Sequence, residues 1–348
     1  MVANKATRAK RKLSIRSQLV QSLWAEEPER RRAMLLLDVA RQYYEYGMGQ
    51  AEIAQATGYS RPTIGRMLAE AREAGIVNIQ ITHPLERSVS LEQTIQLRYG
   101  IQHVRVAPRS PVSDGIVEVG RSCAALLESV LQPGMSLGLS NGRIHNAMVP
   151  ELHHIKTRGV TVVQMVGGLS RSTRLLDGDE LCRRVAEALG GVSHSLPAPL
   201  LARDANAARA LAVSPEVART LELAEGVDVA VIGIGAGFRH PASVFSGTLT
   251  GDTVRTLHKH GAVGHILGRF VDSNGSAVAT NLDRRVIGTT LESLRNIPFV
   301  VAVAAGTEKA PAIAAALRAG LIDVLLVDVT AAQELAHLPE SPTRTPQR

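Results

Sequence analysis

Residues 35–84 read LLLDVARQYYEYGMGQAEIAQATGYSRPTIGRMLAEAREAGIVNIQITHP. An amphipathic helix leads into a short helix over Gln50–Thr57. Gly58 then supplies a turn position at positive φ without steric cost. Ser60 is a good helix N-cap, and Pro62 falls in the first turn, where its missing N–H is harmless. Ile53 and the small Ala54 can face inward, and Ile64, Met67 and Leu68 repeat at helical spacing. This pattern predicts a helix-turn-helix, with a short strand over Ile76–Ile81 behind it as in winged modules. The motif exists to set one helix into a DNA major groove.

The outward face of that second helix offers Ser60, Arg61, Thr63, Gly65 and Arg66. Arginine pairs with guanine O6 and N7, and threonine meets a base edge or a thymine methyl. A helix start with a capping serine also suits a phosphate oxygen. The bland alternative is a helical hairpin with a solvated arginine face. Glu70, Arg72 and Glu73 lie further along and read as solvated or interdomain residues.

The chain has 348 residues, too many for one small DNA-binding module, so two domains are expected. Its formal net charge of +7 suits a polyanionic partner. Lys5, Arg8, Lys10, Arg11, Lys12 and Arg16 crowd the first sixteen residues. Residues 1–30, with a break at Pro28, read as a flexible basic arm that touches phosphates or simply solubilises the chain. The helix-turn-helix domain is expected over 31–84, a linker helix over 85–100, an effector domain over 101–337 and a disordered tail over 338–348. Two cysteines, Cys123 and Cys182, indicate neither a disulfide framework nor a metal site. No apolar run is long enough to span a membrane, and no signal core stands at the N-terminus. A cytoplasmic protein without cofactor or metal is expected.

From Ile101 strand and helix signals alternate. Candidate strands are His103–Ala107, Met135–Leu139, Val160–Met165, Val192–Leu196, Val227–Ile234, Val300–Ala304 and Val324–Val327. Helical patterns fall at Asp114–Val130, Asp179–Leu189, Glu216–Leu223 and Ala310–Ala319. That order predicts an α/β domain with a mostly parallel sheet buried on both faces. Ligands of such sheets bind beyond the C-terminal strand ends. Three such places carry glycine and polar groups: Gly138 with Ser140, Asn141, Gly142 and Arg143; Gly167 with Gly168; and Gly306 to Lys309. Backbone N–H groups there can cradle a phosphate, or the glycines can be plain turns. Beyond Lys12 only Lys156, Lys259 and Lys309 are lysine, and Lys309 alone sits at a strand-to-helix loop. It could bind a phosphate, form an imine with a sugar aldehyde, or be a solvated lysine. Arg269, Asp283 and Arg285 are either ligand clamps or internal ion pairs. No acid–base pair stands out for catalysis, since no spacing sets His145, His240, His258 or His260 beside a carboxylate.

The chain resembles the SorC family of bacterial transcriptional regulators. The resemblance rests on AEIAQATGYSRPTIGRMLAEAREAGIV, VVQMVGGL, GVDVAVIGIG, GAVGHILGRFVDSNG, DRRVIG and AGTEKAPAIAAALRAGLIDVLLVD, in that order. It implies a DNA-binding regulator with an effector domain built like sugar-phosphate isomerases, acting as a sensor rather than an enzyme. It further implies a sugar or sugar-phosphate effector, a homo-oligomer (dimer or tetramer) and double-stranded operator DNA as partner. Carried over, the phosphate loop falls at Ser140, Asn141, Gly142 and Arg143, the next glycines at Gly167 and Gly168, and the late basic residue at Lys309. Arg269 and Asp283 lie in matching motifs. Ile144 stands where relatives often carry threonine, which removes a hydroxyl from the expected phosphate site. The alternative function is an isomerase or deaminase with an accessory DNA-binding domain.

Overall fold

The computed structural model describes residues 27–77, 84–110, 113–154, 159–168, 178–237 and 249–339. The early basic cluster, most of the expected 76–81 strand, His240 and residues 340–348 lie outside them. The chain divides into two compact units, Met1–Ile81 and Thr82–Arg348.

Among the described residues the first unit packs α1 (Glu27–Tyr44), α2 (Gln50–Thr57) and α3 (Arg61–Glu73). Helix α1 starts inside the stretch expected as an arm, with Pro28 in its first turn. Proline is tolerated there because first-turn N–H groups have no intrahelical acceptor, so Pro28 is no break. Leu36, Val39, Ile53, Ile64, Met67, Leu68 and Ala71 form one buried core. Gly58 ends α2 at φ 77°, in the left-handed region. Arg32 of α1 pairs with Glu70 of α3, so Glu70 braces the unit from its surface.

The second unit begins with α4 (Pro84–Tyr99) and β1 (His103–Ala107). Then come α5 (Gly115–Val130), β2 (Ser136–Leu139), α6 (Arg143–Met148), β3 (Thr161–Gln164), α7 (Gly178–Ala188) and β4 (Val192–His194). Helices α8 (Ala205–Ala212) and α9 (Pro215–Glu225) precede β5 (Val229–Ala236). The remainder is α10 (Gly251–Lys259), β6 (Gly264–Ile266), β7 (Arg269–Val271), α11 (Leu291–Asn296), β8 (Phe299–Ala304), α12 (Ala310–Arg318), β9 (Val324–Asp328) and α13 (Val329–His337). All seven predicted strands are present. The structure adds the antiparallel pair β6–β7 and five helices with weaker sequence signals, α6, α8, α10, α11 and α13.

The main sheet runs β1-β9-β8-β5-β2-β3-β4, with every pair parallel. Alternate residues serve opposite faces. In β8, Val300, Ala302 and Ala304 join one core, and Val301 and Val303 join the other. In β9, Leu325 and Val327 oppose Val324 and Leu326 in the same way. Burial on both sides explains why these strands read as unbroken apolar runs. Among the described residues, strand β1 pairs with β9 alone. Helix α4 lies along its other side: Glu92 Oε1 accepts the Val106 N–H at 2.8 Å, and Gln96 Nε2 donates to Gln102 O at 2.7 Å. Cys123 and Cys182 are both buried and unbonded to each other, and burial pushes the Cys123 thiol up to about 12.

Strand order reverses at β2. The chain moves outward from β2 through β3 to β4, then returns with β5 on the other side of β2 and continues to β8 and β9. In open α/β sheets ligands bind at such a reversal, beyond the C-terminal strand ends.

Candidate functional site

In the first unit, Ser60 caps α3. Its Oγ accepts the Thr63 N–H at 3.3 Å and lies 2.8 Å from Thr63 Oγ1. Ser60 and Thr63 are therefore tied to each other at the helix start. Arg61 and Arg66 are exposed, while Ile64, Met67, Leu68 and Ala71 are buried behind them. Gly65 is half-buried, and a Cβ there would stand 3.6 Å from Gln50 Oε1 of α2. Gly65 thus faces the neighbouring helix as well as the outside. The exposed arginines are flexible donors on a helix fixed by its apolar back. Arg66→Ala is expected to weaken operator binding by about 1–3 kcal/mol if Arg66 reads a base. Equal weakening on random-sequence DNA in a gel-shift titration would place it on a phosphate instead.

In the second unit, Ser140, Asn141, Gly142 and Arg143 follow β2 at the reversal point. Ser140 is buried. Its N–H donates to Val231 O of β5 at 3.1 Å, and its Oγ accepts the Gly233 N–H at 2.9 Å. Asn141 Nδ2 donates to Gly167 O at 3.3 Å, joining the β2 and β3 loops, and its Oδ1 is buried without a partner. Arg143 is exposed, and Ile144 turns its side chain into the core at 5% exposure.

Lys309 ends the turn Thr307–Lys309 after β8 and is half-buried. Burial is the main influence holding its ammonium below the usual lysine range. Glu308 and Asp328 work against that shift, and the positive charge of Arg143 adds to it. Asp328 caps α13 and accepts the Gly306 N–H at 3.1 Å, so β9 fixes the Lys309 turn. The partly desolvated Lys309 therefore feels the charge of Arg143 as well as those of Glu308 and Asp328. The lysine charge also reaches His145 and His265, which burial pushes down to about 4 each.

The other predicted residues fall differently. Gly138 lies within β2, where a Cβ would come within 2.8 Å of Met165 Sδ; its job is close core packing. Gly167 and Gly168 have their backbone groups engaged. Gly167 N donates to Ile287 O, Gly168 N donates to Ala198 O, and Gly168 O accepts from Leu200 N. A Cβ at Gly167 would meet Pro199 at 2.4 Å, so these glycines admit a neighbouring chain segment. Arg269 and Asp283 pair with each other at 3.0 Å, both largely buried, and Arg269 also reaches Gly288 O at 3.4 Å. Arg285 Nε donates to Ala202 O at 2.8 Å. Arg269 and Asp283 thus form an internal ion pair, while the buried Arg269 Nε has no hydrogen-bond partner among the described residues.

Sequence reasoning passed over His145. It is 1% exposed, and its Nε2 lies 3.0 Å from Val231 O and 3.4 Å from Ser140 Oγ. Among the described residues, no group of three or more His, Cys, Asp or Glu is arranged to hold a metal.

Residues 83–337 match the family model described as "Putative sugar-binding domain". The transcriptional regulator LsrR of Enterobacter sp. (strain 638) is 32% identical over 309 residues, 87% of this chain and 93% of LsrR. The chain belongs to the SorC family of sugar-binding transcriptional regulators. The full-length sorbitol operon regulator SorC of Klebsiella pneumoniae has a similar structure, with a TM-score of 0.68 and 28% identity, covering 87% of this chain and 98% of that one. The deoxyribonucleoside regulator of Bacillus subtilis (strain 168) is 28% identical over 311 residues, 89% of this chain and 99% of the relative. As a member of this family the chain is a DNA-binding transcriptional regulator controlled by an effector bound in its C-terminal domain. Among the described residues no helix is long and apolar enough to cross a membrane.

Proposed function

We propose that the effector is a phosphorylated sugar or polyol, held at the β2–β5 reversal by Arg143 and Lys309, with Ser140, Asn141 and Gly142 beside its anion. The observation that carries this reading is the half-buried Lys309 ammonium, held below the usual lysine range first by burial, against the pull of Glu308 and Asp328, with the charge of Arg143 adding to the shift. Like charges brought together out of water raise each other's free energy, and an anion between them removes that cost. Helix α6 has only six residues, so the side-chain cations carry the reading and the helix end adds little. A relative named for sorbitol supports a sugar or polyol, and one named for deoxyribonucleosides supports a ligand containing a sugar.

The domain acts as a sensor, without turnover. Ser140 and His145 sit close, yet His145 Nε2 faces a backbone carbonyl, which can only accept, so Nε2 is the donor and does not serve as base for the serine. Asp283 is bonded to Arg269. Arg61 and Arg66, with Ser60 and Thr63 at the helix start, meet operator DNA. A homo-oligomer in the cytoplasm presents two such helices to a roughly palindromic operator. Effector shifts the balance between DNA-competent and incompetent states by its differential affinity for them.

A thermal-shift screen against sugars, their phosphates and polyols tests this, with inorganic phosphate as control. Ligand at a hundredfold excess over Kd stabilises the native protein by about 2.7 kcal/mol. A shift with a sugar phosphate supports the proposal. A shift confined to unphosphorylated sugars would remove the anion from it.

A further inference from the structure

The reading above leaves one buried group unused. His145 Nε2 donates to Val231 O at 3.0 Å, the carbonyl that also accepts the Ser140 N–H. That bond fixes the tautomer: the proton sits on Nε2, and Nδ1 carries a lone pair. Among the described residues Nδ1 has no hydrogen-bond partner, although it is fully buried. It lies beneath the β2 loop, where a Cβ on Gly142 would stand 3.3 Å away. A Cβ on Gly233 would stand 3.4 Å from the imidazole Cε1. Two side-chain-less residues therefore lie beside the ring at the strand ends. Asn141 Oδ1, in the same loop, is a second buried acceptor without a partner. Buried polar atoms are normally satisfied, and those left open mark places completed by something else.

We infer that His145 is a specificity-determining residue of the effector site. Its Nδ1 accepts a hydrogen bond from a hydroxyl of the ligand, which the loop admits over Gly142. This rests on the anion site proposed above and refines its ligand class. Arg143 and Lys309 take the phosphate, while the loop floor offers acceptors and demands O–H donors. The ligand is then a phosphate ester that keeps a free hydroxyl close to its anion.

The test exploits the geometry of glutamine, whose terminal amide reproduces the Nε2 donor of histidine but has no acceptor at the Nδ1 position. Binding of ribose 5-phosphate, 2-deoxyribose 5-phosphate, glucitol 6-phosphate and inorganic phosphate is measured by calorimetry for the full-length wild type, His145→Gln and His145→Asn. Asparagine places its amide near Nδ1 and lacks the Nε2 donor. The expected result is wild-type binding of at least one organic phosphate tighter than inorganic phosphate. His145→Gln loses tenfold or more of that preference, with inorganic phosphate affinity and melting temperature retained. His145→Asn keeps the preference better than His145→Gln, even if it melts earlier. If His145→Gln binds the organic phosphates as the wild type does, or if the wild type binds them no better than inorganic phosphate, the role of His145 is overturned and the anion site stands. If the wild type binds none of the four, the anion site falls and the inference falls with it.

Discussion

Lys309→Ala is expected to lower the affinity for a sugar phosphate by about 2–5 kcal/mol, roughly thirtyfold or more, with operator binding in the absence of effector unchanged. The lysine is half-buried, so its charge is poorly solvated before any ligand arrives, with Glu308 and Asp328 attracting it and Arg143 repelling it. Much of what an anion gains there comes from relieving that state. Truncation leaves Arg143, which is exposed and screened, to hold the anion alone. In the ligand-free protein the effect is small: Lys309→Ala relieves the burial cost and the Arg143 repulsion but gives up the attraction of Glu308 and Asp328, so the melting temperature should stay close to that of the wild type. Calorimetric titration with sugar phosphates and gel shifts with and without effector measure both halves. An undiminished effector response in Lys309→Ala would move the site elsewhere in the domain.

The second large effect is acid destabilisation of the effector domain. Burial, assisted by the charge of Lys309, pushes His145 and His265 from 6.5 down to about 4. An unfolded chain titrates these imidazoles near 6.5. Between the two values the unfolded state binds protons that the native state refuses. Stability is therefore complete above about pH 6.5 and falls as the pH drops toward 4. Each imidazole contributes roughly 3 kcal/mol to that loss by the linkage relation. Urea unfolding at pH 7 and pH 4.5 should show the midpoint falling sharply. His265→Phe, which keeps an aromatic ring against Phe270, should soften the fall by about one imidazole's share. Equal midpoints at the two pH values in the wild type would mean that the imidazoles are not held neutral.

The helix-turn-helix was readable because its determinants are local. Gly58, Ser60, Pro62 and the Ile64–Met67–Leu68 stripe act within a few residues of one another, and the structure puts each where the pattern demands. The parallel strands were readable for a different reason, since two buried faces leave little room for polar residues. Strands β6 and β7 escaped because each has three residues, with Gly264 and Gly268 inside the stretch, and their pairing depends on the far end of β5. The site was partly legible. Lys309 stood out through the scarcity of lysine, and the Ser140–Arg143 loop through its place after a strand. His145 was hidden because its partner is a backbone carbonyl 86 residues away, a contact that no side-chain pattern records. Gly167 and Gly168 were read as open to a ligand because the sequence could not show the Ala198–Leu200 segment lying against them.

The bonds from α4 to β1 give that helix a protective duty. An unpaired strand at a sheet margin is a template on which another chain can add, and proteins guard such margins with charges or covering segments. Glu92 and Gln96 occupy backbone groups that β1 would otherwise offer sideways. A fragment of the effector domain begun at Ile101 would keep every strand yet lose this cover, and would be prone to stick to its own copies through β1. The functional start of the sensor therefore lies at the head of α4, and solubility would be the first property to suffer from trimming past it.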